Sequence, residues 1–168
     1  SKKFKVIGFD TDSKRIENLR DRKDFNKEIK LPLNLKNLSF TSEPNDVLNC
    51  NFYIIAVPTP INSKNKPDIT LLKSASRFVG KKIKKNDIVV LESTVYPGCT
   101  RNECIPIISN YSKLIPNKDF FYGYSPERIN PGDKIHTLSS IVKVVSGSNK
   151  NTTKKIKYIY NKIIKAGL

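Results

Sequence analysis

The chain has 168 residues, of which 38% are hydrophobic, and this composition predicts one globular domain with a modest core rather than a disordered segment. Its apolar runs are far too short to cross a bilayer and no signal-peptide pattern is present, so we expect no membrane association and a cytoplasmic location. Lys and Arg number 31 against 15 Asp and Glu, but the lysines are scattered without the interleaved aromatic residues that stack on bases. We therefore expect a solvated lysine surface and no nucleic-acid partner.

The first predicted strand covers residues 4–10, a β-branched and aromatic run. Asp12 or Ser13 is expected to cap the helix that follows, which places Ile16 and Leu19 on one face. The chain contains no methionine and begins almost directly with this strand. We therefore expect that a segment is missing before Ser1.

The next predicted elements are a weak strand at residues 38–41, a short helical turn at 42–48 and a strand at 51–57. The last of these, NFYIIAV, is almost continuously apolar, as in a strand covered on both faces. Five apolar positions recur at helical spacing and predict an amphipathic helix from residue 68 to about 82, with its lysines outside. These positions are Ile69, Leu72, Ala75, Val79 and Ile83.

The second half of the chain continues the alternation of strands and helices. We predict strands at residues 87–91, 120–124 and 141–146, and a helix at 100–109 capped by Thr100. A final helix begins at Ser148 or Asn149. Its expected buried stripe consists of Ile156, Ile159 and Ile163.

Short apolar strands that alternate with helices are typical of an α/β domain with a mostly parallel sheet. In such sheets ligands bind beyond the carboxyl ends of the strands. The unusual segments of this sequence all follow predicted strands, so we expect them to lie at one edge. They are Asp10 and residues 58–60, 93–98 and 125–132.

Asp10 ends the first predicted strand, where an acidic residue can bind the ribose hydroxyls of a dinucleotide. Such a residue normally follows a glycine-rich phosphate loop, and no G-x-G-x-x-G occurs in the sequence. Taken alone, Asp10 fits a helix-capping or turn residue better than a ribose ligand. The ribose-binding role depends on a strand and loop that would precede Ser1.

Two further strand ends carry possible ligand contacts. Pro58-Thr59-Pro60 after Val57 can simply end a strand, or it can present backbone amides and a hydroxyl rigidly to a cofactor. Ser93-Thr94 offers hydroxyls at the same edge, ahead of a helix N-terminus that favours negative charge. Thr94 can also be a local cap, and these alternatives remain open from the residues alone.

The segment YSPERINPGD, residues 124–133, places one carboxylate in a loop held by two prolines and a glycine. Proline fixes its own φ and restricts the residue before it, so Glu127 projects from a stiff frame. An ordinary surface turn with a solvated glutamate has the same composition. Glu92, at another strand end, fits either ion pairing or chemistry, whereas the single histidine, His136, is interpreted as structural.

Four motifs in order, VIGFD, IIAVPTP, LESTVYPG and YSPERINPGD, resemble the NAD-binding half of the UDP-glucose/GDP-mannose dehydrogenase family, and most closely its UDP-N-acetylhexosamine 6-dehydrogenase branch. The resemblance implies a Rossmann-like, doubly wound and mostly parallel sheet without its first strand and glycine-rich loop. Residues 1–168 would then be a single incomplete NAD-binding domain. The central dimerisation domain and the C-terminal UDP-sugar-binding domain would be absent.

Enzymes of this family oxidise the C6 alcohol of a UDP-sugar to a carboxylate with two NAD, through a thiohemiacetal and a thioester on a cysteine. The resemblance implies that Asp10 binds the adenosine ribose and that Arg15 lies near the adenine. It also implies that Thr94 contacts the cofactor and positions a water. Glu127 would be the acid/base that hydrolyses the thioester, and Arg128 would meet the substrate or a neighbouring carboxylate. The remaining expected cofactor contacts are Val57, Pro58, Thr59, Pro60 and Ser93.

Two departures from the family pattern qualify this prediction. UDP-glucose dehydrogenases tend to carry a second glutamate where this chain has Pro131, which favours an N-acetylated sugar. The three cysteines, Cys50, Cys99 and Cys104, lack the nucleophile motif and show neither disulfide nor metal-ligand spacing, so we expect free thiols and no metal site.

By family, the intact enzyme would be a homodimer or higher homo-oligomer that makes bacterial polysaccharide precursors, and this chain alone would be inactive. The alternative is a non-catalytic nucleotide-binding or scaffolding module that keeps the fold without the chemistry.

Overall fold

The structure, a computed structural model, describes residues 3–24, 36–127, 142–164 and 166–168. These residues form two compact units, Ser1–Asn49 and Cys50–Leu168. The strands found in the described residues are β1 (Val6–Phe9), β2 (Leu38–Thr41), β3 (Phe52–Ile55), β4 (Ile88–Leu91), β5 (Phe121–Tyr124) and β6 (Ser146–Gly147). The α-helices found there are α1 (Ser13–Arg20), α2 (Thr70–Gly80), α3 (Ile105–Ser112) and α4 (Lys150–Tyr160).

The first unit is a strand-helix-strand unit in which β1 and β2 pair in parallel. Asp12 is the N-cap of α1, because its side chain accepts a hydrogen bond from the Arg15 amide at 3.0 Å. Ile16 is fully buried on the inner face of this helix, as predicted. Residues 44–49 form turns rather than the expected helical turn, and the Thr41 hydroxyl holds them by donating to Asp46.

The second unit contains a four-stranded sheet in the order β3-β4-β5-β6. The first three strands run parallel and β6 pairs antiparallel with β5. All four residues of β4 are buried, since helices cover both faces of this central strand. The predicted mostly parallel sheet is therefore present, with one antiparallel edge strand.

The two faces of this sheet pack into separate cores. One core joins Tyr53, Leu72, Leu91 and Ile108, which brings α2 and α3 against β3 and β4. The other core packs α4 against the opposite face and consists of Ile88, Val90, Ile156, Tyr160 and Ile164. Each fully buried aliphatic side chain contributes about 1.5–3 kcal/mol relative to exposure, so both helix layers hold the sheet in place.

The helix predicted at residues 100–109 does not begin as a regular α-helix. Thr100–Cys104 is a π-helical turn, and α3 starts only at Ile105. Pro106 explains the change, because proline has no amide proton and its ring clashes with the carbonyl four residues earlier in a regular α-helix. Thr100 is not the cap, since Cys99 occupies that position and makes no side-chain capping bond.

The prediction of a strand at residues 141–146 is also wrong for the part of this segment that the structure describes. Only Ser146 and Gly147 pair with β5. Upstream, the Lys143 amide donates to the Gly167 carbonyl at 3.2 Å, and the Val144 carbonyl accepts from the Ser125 hydroxyl at 2.9 Å. These bonds replace the ladder to β5.

The buried face of α4 also differs from the predicted stripe. Asn149 caps the helix as expected, accepting from the Thr152 amide at 2.8 Å. Tyr160, the last residue of α4, is buried with Ile156, and so is Ile164 in the turn that follows, whereas Ile163 is 47% exposed. Both sets of positions fit helical spacing. The set that is buried, Ile156, Tyr160 and Ile164, is the one that packs against Ile88 and Val90 of the sheet.

Candidate active site

The carboxyl ends of β3, β4 and β5 form one edge of the second unit's sheet, because these strands run parallel. Backbone hydrogen bonds continue past the strands at this edge. The Glu92 amide donates to the Ile55 carbonyl at 2.8 Å, and the Ser125 amide donates to the Leu91 carbonyl at 3.0 Å. The segments that follow the three strands are therefore held side by side, as the sequence predicted.

The loops after β3 and β4 are joined by their hydroxyl groups. Thr59 donates to the Thr94 carbonyl at 2.7 Å, and Ser93 donates to the Val57 carbonyl at 2.6 Å. Ser93 is buried, whereas Thr94 is exposed. The hydroxyls of Thr59 and Ser93 thus fix the loops, whereas the exposed Thr94 side chain is available to a ligand.

Glu127 lies at this edge in a loop tied to its neighbours. Its amide donates to the Glu92 carbonyl at 3.1 Å, and its side chain is 43% exposed. Ser125 is fully buried two residues earlier and anchors the loop from below. A carboxylate on such a frame can reach solvent or a ligand while its backbone stays fixed. Arg128, Pro131 and His136 lie outside the described residues.

Glu92 directs its carboxylate into a mostly buried polar cluster beneath this loop. The Tyr160 hydroxyl donates to Glu92 Oε1 at 2.5 Å, and Lys143 Nζ lies 3.3 Å from the same oxygen. Burial, together with the Glu92 carboxylate, raises the pKa of Tyr160 well above its ordinary value. The phenol therefore remains protonated and keeps donating to Glu92.

The sequence did not identify Lys143 or Tyr160 as site residues. Lys143 interrupts an apolar run, IVKVVS, that predicted a strand. A lysine in the middle of such a run is the signal that could have marked a buried cation. Tyr160 lies four residues after Ile156 and so occupies the buried face of α4, where a polar tip needs a partner.

In the first unit, Asp10 follows β1 directly. One carboxylate oxygen accepts from the Asp12 amide at 3.0 Å, and the other lies 3.4 Å from Arg15 Nη1. A cleft of about 310 Å³ lies alongside, lined by Asp12, Lys14, Arg15, Asn18, Leu19, Lys23 and Asp24. Asp10 thus has both the turn contact and an ion pair to the residue predicted to lie near an adenine.

These groups present polar and charged atoms at the end of a strand. A ribose diol has two hydroxyl donors, and the partly exposed Asp10 carboxylate is an acceptor at a strand end. The neighbouring cleft is lined by side chains of both charges, Lys14, Arg15 and Lys23 with Asp12 and Asp24. The first unit therefore presents an acceptor and nearby charged side chains at the end of β1.

The cysteines do not form a nucleophile site. All three are free thiols, and Cys99 and Cys104 are fully buried. Burial raises the pKa of Cys104 to about 11 and also raises the pKa of Cys50. A thiolate is the reactive form of cysteine, so neither of these two thiols is activated.

The described residues contain no group of three or more metal-ligating side chains. Within the same part of the chain, every helix is too short or too polar to cross a bilayer.

The chain is similar to known proteins over nearly its whole length. The model of the NAD-binding domain of the UDP-glucose/GDP-mannose dehydrogenase family matches residues 1–164. The chain is 49% identical over 168 residues to the UDP-N-acetyl-D-glucosamine 6-dehydrogenase of Salmonella typhi. It is 48% identical over 167 residues to Protein CapL of Staphylococcus aureus.

Both alignments cover 99% of this chain but only 40% and 39% of the two relatives. The chain therefore spans about two fifths of the length of the curated relatives that it matches. Among solved structures, a ternary complex of GDP-mannose dehydrogenase from Pseudomonas aeruginosa superposes with a TM-score of 0.86 at 25% identity. That match covers 99% of this chain and 40% of the other, and it confirms the predicted Rossmann-like α/β fold.

Proposed function

The chain belongs to the UDP-glucose/GDP-mannose dehydrogenase family, whose NAD-binding domain it matches over residues 1–164, and on this basis we propose that it is the NAD-binding part of a UDP-N-acetylhexosamine 6-dehydrogenase. The enzyme oxidises the C6 alcohol of the sugar to a carboxylate. The 49% identity to a UDP-N-acetyl-D-glucosamine 6-dehydrogenase supports an N-acetylated substrate. Homo-oligomeric assembly, a cytoplasmic location and a role in bacterial polysaccharide precursor synthesis are parts of the same proposal.

The observation that carries this proposal is the placement of Glu127. Its backbone is fixed to Glu92 at the carboxyl edge of the sheet, and its carboxylate is 43% exposed. Parallel sheets bind their ligands at this edge. General base catalysis requires reach to the reacting proton first and a suitable protonation state second, and Glu127 provides the reach.

The step assigned to Glu127 is hydrolysis of a thioester formed between the oxidised sugar and a cysteine. Glu127 removes a proton from water as the water oxygen bonds to the carbonyl carbon. The carbon–sulfur bond then breaks, and the departing thiolate takes the proton held by Glu127. The sugar carboxylic acid releases its own proton to water, so the products are the sugar carboxylate and the cysteine thiol. Cys99 and Cys104 are buried, and burial raises the pKa of the Cys50 thiol, so we assign the nucleophile to another part of the enzyme.

Other residues of the chain bind and orient. Asp10 accepts from the adenosine ribose of NAD, with Arg15 beside it at 3.4 Å. Val57, Pro58, Thr59, Pro60 and Ser93 shape the loops that line the cofactor, and Thr94 positions the attacking water. Bound NAD supplies the hydride acceptor for both oxidations. Arg128 contacts the substrate or a neighbouring carboxylate.

The test is a Glu127→Gln variant of the complete enzyme, assayed with NAD and UDP-N-acetyl-D-glucosamine. Loss of a general base should slow thioester hydrolysis by about 100-fold or more. Formation of the first NADH should change far less, because that step precedes the thioester. Rapid-mixing absorbance follows NADH, and mass spectrometry of the intact protein detects the accumulating sugar adduct.

Glu103→Gln is the matched control, since Glu103 pairs with Lys73 at 2.8 Å on the π-helical turn. It should leave both steps unchanged. Equal slowing of both steps by Glu127→Gln would remove the base role. If the wild-type protein binds NAD but produces no NADH from any UDP-sugar, the non-catalytic module is the correct function instead.

A further inference from the structure

Lys143 is a buried cation between two carboxylates at the candidate site. Its side chain is 3% exposed, and its Nζ lies 3.3 Å from Glu92 Oε1 and 3.7 Å from Glu127 Oε2. Within the described residues, no acceptor forms a hydrogen bond of good geometry with this nitrogen. The ammonium group is therefore held in place by ion pairing.

Several elements fix the position of this lysine. Its amide donates to the Gly167 carbonyl at 3.2 Å, and the next carbonyl, of Val144, accepts from the buried Ser125 hydroxyl. The Tyr160 ring lies beside the side chain, with its centroid 5.7 Å from Nζ. The ammonium group thus has little freedom to move away from the two carboxylates.

Burial of an ammonium group is unfavourable, and an apolar side chain of similar size usually serves the core as well or better. An ionisable side chain that is buried beside specific charge partners is a candidate for a functional role. Here the burial occurs directly beneath the loop that carries Glu127. This location points to a role in the chemistry of the edge rather than in packing alone.

The two contacts of Lys143 are unequal. Glu92 is nearer, is only 18% exposed and also accepts from Tyr160, whereas Glu127 is farther and 43% exposed. Glu92 thus balances most of the lysine charge. Lys143 can steer the Glu127 carboxylate without pairing so tightly that the carboxylate is withdrawn from solvent.

We propose that Lys143 is the positioning residue for Glu127, and that Glu92 and Tyr160 hold the lysine in the arrangement that thioester hydrolysis requires. The inference rests on the proposed function and adds the groups that orient its base. Lys143 contacts the base and not the substrate.

The test compares Lys143→Met, Lys143→Arg and the double variant Lys143→Met/Glu92→Gln in the complete enzyme. Met keeps most of the apolar length and removes the charge. We expect Lys143→Met to slow thioester hydrolysis at least 10-fold, with accumulation of the sugar adduct, and to change the first hydride transfer less than 2-fold, by the scale of general base catalysis. Lys143→Arg should recover part of the hydrolysis rate.

The double variant separates positioning from stability. It leaves neither a buried cation nor its nearest anion unpaired, so the midpoint of thermal unfolding should return towards the wild-type value. Hydrolysis should remain slow, because nothing then steers Glu127. Lys85→Met is the control, since Lys85 is 72% exposed and pairs with Asp119 instead, and it should not alter either rate.

Recovery of both stability and hydrolysis in the double variant would overturn the inference and leave Lys143 a structural ion pair. Wild-type hydrolysis in Lys143→Met would overturn it as well, while the proposed function would stand. Absence of any NADH or adduct in the wild-type enzyme would overturn both.

Discussion

At the scale of single residues, Tyr160 connects the fold to the site. Its ring belongs to the core that packs α4 on the sheet, and its hydroxyl donates to Glu92 at the edge. A hydrogen bond from a buried donor to a charged acceptor is worth about 1.5–3 kcal/mol. The same side chain thus stabilises the domain and fixes the carboxylate that balances Lys143.

Tyr160 also predicts how stability depends on pH. Burial raises the pKa of this phenol in the folded chain. Above about pH 10 the unfolded chain releases a proton that the folded chain retains, so the free energy of unfolding falls as pH rises. The contribution is about 1.4 kcal/mol per pH unit for one group. Urea titrations across this range measure the slope.

Tyr160→Phe should make this slope shallower by one group's contribution, although it also lowers stability at every pH because Glu92 loses its donor. Tyr158→Phe is the control, since Tyr158 is on the same helix and is 59% exposed. An unchanged slope in Tyr160→Phe would show that the phenol does not control alkaline unfolding.

At the scale of elements, the antiparallel direction of β6 brings Lys143 to the candidate site. Parallel strands bring only the residues that follow them to the carboxyl edge. An antiparallel neighbour of β5 brings the residues that precede it to the same edge. Lys143 lies three residues before Ser146 and reaches Glu92 and Glu127 for this reason.

Close packing at Gly123 of β5 allows this arrangement. A side chain there would overlap the Ile156 methyl group and lie 2.5 Å from the Ser146 carbonyl oxygen. We therefore expect Gly123→Ala to lower the free energy of unfolding by about 1–3 kcal/mol through overpacking. Urea denaturation followed by circular dichroism measures the loss.

Ser74→Ala, at an exposed position of α2, is the control and should change stability by less than about 0.5 kcal/mol. A Gly123→Ala variant as stable as this control would mean that β6 and α4 are not packed as closely as described.

At the scale of the whole molecule, the net charge of +16 should determine how stability depends on salt concentration. Like charges repel across a compact chain, and salt shortens the distance over which they act. Raising the NaCl concentration from about 0.01 M to about 0.1 M reduces the screening length from about 30 Å to about 10 Å. The free energy of unfolding should therefore rise by an amount on the order of 1 kcal/mol.

Urea denaturation at the two salt concentrations measures this change. Replacing the exposed Lys64, Lys118 and Lys155 by glutamine should reduce the gain. Stability that falls with added salt would mean that the ion pairs outweigh the repulsion.

Much of this molecule could be predicted from its sequence, because the relevant signals are local. The apolar runs in NFYIIAV and DIVVL predicted β3 and β4. Residue types narrowed the two caps to Asp12 or Ser13 and to Ser148 or Asn149, and the structure has Asp12 and Asn149. What failed depended on distant partners. The hydrogen bonds of residues 143 and 144 go to Gly167 and Ser125, and no local pattern encodes them.

The candidate site divides in the same way. The strand-end motifs placed Glu127 and its neighbours at one edge, whereas the cluster around Glu92 required contacts between residues far apart in the chain. Lys143 shows the limit most clearly, since its sequence neighbours are apolar and its charge partners belong to two other segments.

The contact between Tyr160 and Glu92 joins residues 68 positions apart, and this has a consequence for the order of folding. β3, β4 and β5 can assemble with α2 and α3 before α4 docks. Until α4 docks, Tyr160 does not contact Glu92. Lys143, which β6 brings to this edge, does not contact it either. Contacts between residues so distant in sequence form late, because the loop must close first. The polar cluster of Glu92, Lys143 and Tyr160 would then be completed last, so its formation would report that the second unit has finished folding.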